Sequence, residues 1–180
     1  MCAAANKIIL LLGGARSGKS AHAQQLAGIT GGRVLYCATA EALDEEMRSR
    51  IAKHRTSRPA GWDTLEASSD SGKRLVQQVP GYTTVIIDCI TILVANVMGD
   101  GRDPEKAESG VDAEIISLTE LLKLRQSNYI LVSNEAGSGL VPDNRLGRLY
   151  RDELGKANQK LAAVADEVYL LTAGIPLKLK

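Results

Sequence analysis

Apolar residues along this chain come in short, nearly unbroken runs, separated by stretches in which they recur every three or four positions. Residues 7–12 (KIILLL), 33–38 (RVLYCA), 85–88 (VIID), 129–133 (YILVS) and 168–171 (VYLL) have strand length and little polar alternation, the mark of strands buried on both faces. Between them the period changes. Residues 19–27 (KSAHAQQLA) suit a helix, and Leu43, Met47 and Ile51 recur at i, i+4 and i+8 on a charged segment. Residues 111–125 form an amphipathic helix, and residues 145–165 keep a helical period through Leu146, Leu149, Leu154, Leu161 and Val164. Residues 62–66 and 175–180 are candidates for two further short strands. Arg58-Pro59 and Gly61 break the chain, and residues 99–110 (GDGRDPEKAESG) and 134–144 (NEAGSGLVPDN) read as polar loops. This alternation predicts an α/β fold, a mostly parallel sheet flanked by helices, with residues 1–180 forming one domain without internal repeats.

Composition narrows the partners. A net charge of +1 offers no bulk attraction to nucleic acid or to an anionic membrane, so any phosphate must be held by a local site. The three cysteines, Cys2, Cys37 and Cys89, are odd in number and form no Cys-x-x-Cys, which argues against a disulfide framework or a zinc site. Cys37 and Cys89 stand in or beside apolar runs and read as small packing residues. The chain shows no basic leader, and no apolar run nears the ~18 residues of a membrane helix. The expected compartment is the cytoplasm, with no membrane insertion.

The strongest chemical signal is the octet Gly13, Gly14, Ala15, Arg16, Ser17, Gly18, Lys19 and Ser20, which fits the pattern G-x-x-x-x-G-K-S. Glycines let backbone N–H groups curl around phosphate oxygens where a Cβ would obstruct them. The helix that follows turns its positive end toward the same anion. Lys19 supplies charge between the outer phosphates, and the Ser20 hydroxyl can ligate Mg²⁺. The octet follows an apolar strand and opens a helix, which is the context this motif requires. Asp88 ends the run VIID. A carboxylate there can hold Mg²⁺ or its water, and it can equally cap the next helix. Of the two histidines, His22 lies on the helix after the phosphate loop and reads as a packing or surface residue. His54 extends the Leu43–Met47–Ile51 face, with Arg50, Arg55 and Arg58 nearby in sequence. Spacing alone leaves it either a structural histidine or a nucleophile toward phosphorus.

Several blocks together resemble one family. They are GGARSGKS at 13–20; Ala38, Thr39 and Ala40 followed by LDEEM at 43–47; Arg50-Ile51-x-x-His54-Arg55 with Arg58-Pro59, Trp62 and Glu66; and DCIT at 88–91. Further on come Val132-Ser133-Asn134-Glu135-x-Gly137-x-Gly139-x-Val141-Pro142, Arg148-x-x-Arg151-Asp152-x-x-Gly155-x-x-Asn158-Gln159, ADEV at 165–168 and GIP at 174–176. The chain from Ile8 almost to Lys180 is thereby similar to the bifunctional adenosylcobinamide kinase / adenosylcobinamide-phosphate guanylyltransferases of cobalamin biosynthesis. The histidine block and the Asn-Glu-x-Gly block carry the specificity, because the phosphate loop alone occurs far more widely. Ala136 stands where the family pattern has valine, and at position 88 either acid is compatible.

The resemblance implies a RecA-like P-loop sheet, a homotrimer and two reactions. A nucleoside triphosphate, ATP or GTP, phosphorylates the aminopropanol hydroxyl of adenosylcobinamide. GTP then gives GMP to that phosphate, with pyrophosphate leaving, to form adenosylcobinamide-GDP. The family's guanylylated histidine falls on His54. Its nucleotide contacts fall on residues 13–20, on Ala38, Thr39 and Ala40, on Arg55, Thr56, Ser57 and Arg58, on Glu66 and on Asp88, with Ser20 and Asp88 toward Mg²⁺. An imidazole must be neutral to attack, so with an ordinary pKa of about 6.5 the second activity should fade in mild acid. For the corrinoid, residues 134–144 and the Arg148/Arg151/Asp152 face are candidate linings, and equally a solvated loop and helix face. Two rivals stand beside this reading. One is a P-loop small-molecule kinase without a covalent intermediate. The other is a nucleotide-driven switch, for which no water-positioning glutamine or switch loop is evident.

Overall fold

A computed structural model describes residues 6–41, 45–56 and 58–180, except for the side chains of Glu46, Met47, Arg50, Lys53 and His54. The elements run β1 (Ile8–Gly13), α1 (Lys19–Thr30), β2 (Val34–Ala38), α2 (Glu45–Thr56), β3 (Asp63–Glu66), α3 (Ser71–Gln78), β4 (Thr84–Asp88), α4 (Ile90–Met98), α5 (Pro104–Lys123), β5 (Asn128–Val132), α6 (Arg145–Val164), β6 (Glu167–Thr172) and β7 (Ile175–Lys178). The strands form one sheet in the order β3-β2-β4-β5-β1-β6-β7. It is parallel except at its edge, where β7 returns antiparallel to β6.

The apolar runs are explained by burial on both sides. All five residues of β2 are buried. Val34, Tyr36 and Ala38 join the core under α1, while Leu35 and Cys37 join the core under α3, α4, α5 and α6. The same parity divides Ile86 from Val85 and Ile87 on β4, and Ile130 and Val132 from Tyr129 and Leu131 on β5. On the first face α1 meets the sheet through Ala23 and Ala27, both fully buried, whose small side chains permit close approach.

One boundary and two helices differ from the sequence expectation. Residues 104–110, read as loop, are the start of α5: the Asp103 side chain accepts from the Lys106 N–H at 3.1 Å, and Pro104 opens the first turn. Helix α3 buries only Ser71, Gly72 and Leu75, too few for a visible period. It is held from a distance, because the buried Glu114 carboxylate of α5 accepts from the N–H groups of Asp70 (2.8 Å) and Ser71 (2.7 Å), orphan donors at the helix start. Gly72 lets the two helices touch, since a Cβ there would lie 2.5 Å from Ser117 Oγ. Helix α4 (ITILVANVM) is apolar nearly all round and so shows no helical stripe. The part of the Leu43–Met47–Ile51 stripe at Leu43, and the Met47 side chain, lie outside the described residues.

The end of the sheet away from the site is tied by one acid. Asp166 accepts from the Ile8 N–H at 2.8 Å and takes the forked guanidinium of Arg125 at 2.8 and 2.9 Å. The Arg125 hydrogen bonds hold the Asp166 carboxyl below the usual carboxylate range. The pair's contribution is therefore present above the unfolded-state pKa of about 4 and is lost as pH falls through the lower folded-state value. Asp166→Asn should cost about 1 kcal/mol at neutral pH, the low end for charge-assisted bonds because solvent screens this pair. Urea midpoints measured against pH should show the gap to wild type narrowing below about pH 4. A gap of constant size down to strong acid would mean that Asp166 contributes by shape alone.

Candidate functional site

Parallel strands place their C-terminal ends on one edge, and the crevice outside that edge is where open α/β sheets bind ligands. Here β1 ends at Gly13, β4 at Asp88, β5 at Val132 and β2 at Ala38. One strand, β5, lies between β1 and β4, so the phosphate loop and Asp88 face each other across a gap rather than touching.

The loop from Gly13 to Gly18 is shaped by its packing. A Cβ at Gly13 would stand 2.4 Å from the Leu171 carbonyl oxygen, so only glycine fits there. Left-handed φ at Arg16 (58°) and Gly18 (96°) curls the chain in the manner that gathers successive N–H groups into an anion nest. The loop is buttressed from outside the motif: the Gly174 N–H donates to Ser17 O at 3.0 Å, and the Glu135 N–H donates to Gly13 O at 3.1 Å. Lys19 opens α1 and is 7 % exposed, with its ammonium on Gly14 O (2.7 Å), Gly13 O (3.0 Å) and Ser17 Oγ (3.4 Å). Burial lowers its pKa, against the pull of Cys89 and Asp88.

Asp88 does not cap α4. The cap residue is Cys89, and it makes no side-chain cap bond. The Asp88 carboxylate instead accepts from the Tyr36 hydroxyl at 2.5 Å through Oδ2, and no other hydrogen bond to it is found among the described residues. The Arg58 guanidinium lies 3.6 Å from the Tyr36 ring centroid. The Cys89 thiol is pushed up to about 11 by burial and by the Asp88 charge, which makes it a poor nucleophile at neutral pH.

A cavity of about 940 Å³ opens between these groups. Of the residues singled out from sequence, Ala15, Arg16, Lys19, Ser20, Ala38, Ala40, Arg55, Arg58, Glu66 and Asp88 line it. Gly13, Gly14, Ser17 and Gly18 shape the loop behind that surface. Thr39 is fully buried and faces inward, its hydroxyl exchanging hydrogen bonds with both Cys89 O and Cys89 N at 2.8 Å. Thr56 donates back to Ala52 O at 3.2 Å within its own helix. Ser57 and the His54 side chain lie outside the described residues, although the His54 backbone belongs to α2. His22 is half-buried and meets Tyr169 edge-on at 6.3 Å.

Val132, the first residue of the Asn-Glu-x-Gly block, also lines the cavity, as do Tyr36, Ser49, Thr64 and Ile92, which no sequence motif marks. Tyr36 had one signal: it shares the strand parity of Ala38, and a buried phenol needs an acceptor. Of the candidate corrinoid segment, Asn134 lines the cavity, its N–H bound to Thr91 Oγ1 at 2.7 Å and its carbonyl to Asn158 Nδ2 at 3.0 Å. Arg148 ties that segment to α6 by donating to Pro142 O (3.0 Å) and Asp143 O (2.9 Å), and Arg151 stands 3.7 Å from Asp152.

No group of three or more His, Cys, Asp or Glu placed to hold a metal occurs among the described residues. A cation here would share its shell with phosphate oxygens and water. A serine hydroxyl and one carboxylate fit Mg²⁺, which usually takes one or two protein oxygens in such sites.

Known proteins resemble this chain along nearly its whole length. The chain is 40% identical over 181 residues to the bifunctional adenosylcobalamin biosynthesis protein CobU of Escherichia coli, covering 96% of this chain and 99% of that protein. It is 41% identical over 181 residues to the CobU of Salmonella typhimurium, with the same coverage. It is 42% identical over 171 residues to the bifunctional adenosylcobalamin biosynthesis protein CobP of Pseudomonas aeruginosa, covering 95% and 96%. Among solved structures, the flagellar accessory protein FlaH of Methanocaldococcus jannaschii superposes with a TM-score of 0.51 at 17% identity, over 98% of this chain and 79% of that one. That likeness concerns the fold alone. With the family model for cobinamide kinase / cobinamide phosphate guanyltransferase matching residues 9–179, the chain belongs to that family.

Proposed function

We propose that this chain phosphorylates adenosylcobinamide with ATP or GTP and then transfers GMP from GTP to the product through His54, using one nucleotide pocket for both steps. The observation that carries this is the meeting of Lys19, Ser20, Asp88 and the α2 residues Ile51 and Arg55 on one cavity. Ile51 and Arg55 bracket position 54 in the helix. The cavity volume is at the upper end of ordinary small-molecule sites and suits a nucleotide. The buried Nε of Arg58 has no partner among the described residues, and a ligand oxygen would satisfy it.

In the kinase step the substrate hydroxyl oxygen attacks the γ-phosphorus, the bond to the β–γ bridging oxygen breaks, and the nucleoside diphosphate leaves. The hydroxyl proton passes to solvent. Lys19 and the loop N–H groups neutralise charge gathering on the β- and γ-oxygens. In the guanylyl step the imidazole of His54 attacks the α-phosphorus, and the α–β bridge breaks to release pyrophosphate. The same Lys19 and loop then stabilise a leaving group made of the same two phosphates. A phosphate oxygen of adenosylcobinamide phosphate next attacks the guanylyl phosphorus, the phosphorus–nitrogen bond breaks, and neutral His54 is restored. Covalent catalysis thus divides one hard displacement into two. Bound Mg²⁺ would add charge neutralisation at the phosphates, with Ser20 and Asp88 as its protein partners.

Support for a homotrimer comes from the resemblance, while a single kinase/guanylyltransferase domain over residues 1–180 rests on chain length and strand–helix alternation, and a cytoplasmic setting on composition. No described helix is long and apolar enough to cross a membrane. The direct assay separates corrinoid products by chromatography after incubation with adenosylcobinamide, nucleotide and Mg²⁺. Adenosylcobinamide phosphate should appear first and adenosylcobinamide-GDP second, the latter only with GTP. Product that stops at the phosphate with GTP present would leave a simple kinase.

Asp88→Asn should raise the Mg²⁺ concentration needed for half-maximal turnover by about tenfold or more, because the amide keeps the shape but loses the charge. Metal-free nucleotide affinity should not change. A Mg²⁺ titration identical to wild type would remove Asp88 from the cation site.

A further inference from the structure

Neither reaction uses the Tyr36 hydroxyl directly, yet that hydroxyl is committed to the cavity. Tyr36 is 2 % exposed and lies mid-strand in β2, which is hydrogen-bonded on both sides by β3 and β4. The register pairs Tyr36 with Ile86 and Ala38 with Asp88. Tyr36 is therefore the diagonal neighbour of Asp88 on the same face, a separation that an aromatic side chain spans. A phenylalanine ring would fill the core at this position without the hydroxyl. Tyrosine adds one proton, and it goes to Asp88 Oδ2 at 2.5 Å.

The arrangement is rigid on one side and free on the other. The ring is fixed by the strand below it and by the Arg58 guanidinium 3.6 Å from its centroid. The terminal torsion of an aspartate is otherwise broad and nearly two-fold, so an unanchored carboxylate would sample many planes. One short bond to a buried phenol removes that freedom. It also occupies Oδ2 and leaves Oδ1 without a partner among the described residues.

We propose that Tyr36 is a positioning residue for both reactions: its hydroxyl holds Asp88 Oδ2, sets the carboxylate plane and leaves Oδ1 as the single oxygen offered to the cation carried by the nucleotide. The inference rests on the reading of Asp88 as a cation-site residue. Outer partners of this kind commonly change metal affinity by 10–100-fold when removed.

Tyr36→Phe deletes one oxygen and keeps the ring. Binding of a non-hydrolysable GTP analogue is measured by calorimetry across a Mg²⁺ series for wild type, Tyr36→Phe, Asp88→Asn and the double variant. Tyr36→Phe should shift the Mg²⁺ midpoint upward roughly tenfold. Its metal-free affinity should equal that of wild type, which also reports an intact pocket, and turnover should recover at saturating Mg²⁺. In the Asp88→Asn background the second substitution should add nothing, since the two act as one unit. If Tyr36→Phe leaves the Mg²⁺ midpoint unchanged while Asp88→Asn moves it, the positioning role is wrong and the Asp88 reading stands. If neither moves it, the Asp88 reading fails first. Additive shifts in the double variant would show that Tyr36 acts on something other than Asp88, and would equally overturn the proposal.

Discussion

Lys19→Ala should slow both phosphoryl and guanylyl transfer, each rate falling by about 10²–10³-fold or more. The expectation comes from position. Lys19 opens α1 behind the loop, its ammonium within 3.4 Å of three loop oxygens, and it lines the cavity opposite Asp88. In the proposed scheme the β- and γ-phosphates lie on this loop in both steps, once as the donor end and once as leaving pyrophosphate. Removing that buried cation strips stabilisation from both transition states. Stability should not fall with activity, because a buried ammonium held by carbonyls carries a desolvation cost that alanine removes. The two assays must be run separately. Wild-type speed in either one would take the phosphate loop out of that reaction.

His54→Ala should split the activities. The kinase step needs positioning and charge stabilisation but no protein nucleophile, because the substrate hydroxyl attacks directly. Guanylyl transfer needs the imidazole itself and should drop by at least about 10³-fold. The variant should therefore accumulate adenosylcobinamide phosphate and make no adenosylcobinamide-GDP. Equal loss of both activities in a folded variant would mean that His54 orders the nucleotide rather than attacking it. Full guanylyl transfer would leave His22 as the remaining histidine, and its half-buried packing on Tyr169 sets it among structural contacts.

Much of this could be read from the chain because burial on both faces writes strands as apolar runs. The β2 run VLYCA is the clearest case, its five residues divided between the two cores. Helices were legible where one face meets solvent, as in α6, and not where a helix is buried nearly all round, as in α4. Helix α3 was hidden for a different reason. Its start is capped by Glu114, 43 residues away from Ser71, and no local signal encodes a cap delivered from that distance. The start of α5 was legible in principle: Asp103-Pro104-Glu105 is an N-terminal signature, masked by the glycines before it.

The site divides in the same way. The phosphate loop is local and was explicit. Asp88 left two roles open until the strand end showed Cys89 as the cap residue and Tyr36 as the partner of the carboxylate. In the sequence Tyr36 is only one residue of an apolar strand, since its contact with Asp88 depends on the β2–β4 register, which a single sequence does not display. Thr39 belongs to a family contact block, yet its hydroxyl joins two strand ends rather than lining the cavity. The case for His54 came from the resemblance, not from spacing.

Trapping the covalent enzyme tests the central claim most directly. Protein and Mg²⁺ are incubated with GTP labelled at either the α- or the γ-phosphate, then denatured and freed of nucleotide. The account predicts retention of the α-label only, lost in acid and kept in alkali as expected of a phosphorus–nitrogen bond to imidazole, and absent from His54→Ala. Retention of γ-label alone, no retained label, or undiminished α-label on His54→Ala would contradict it.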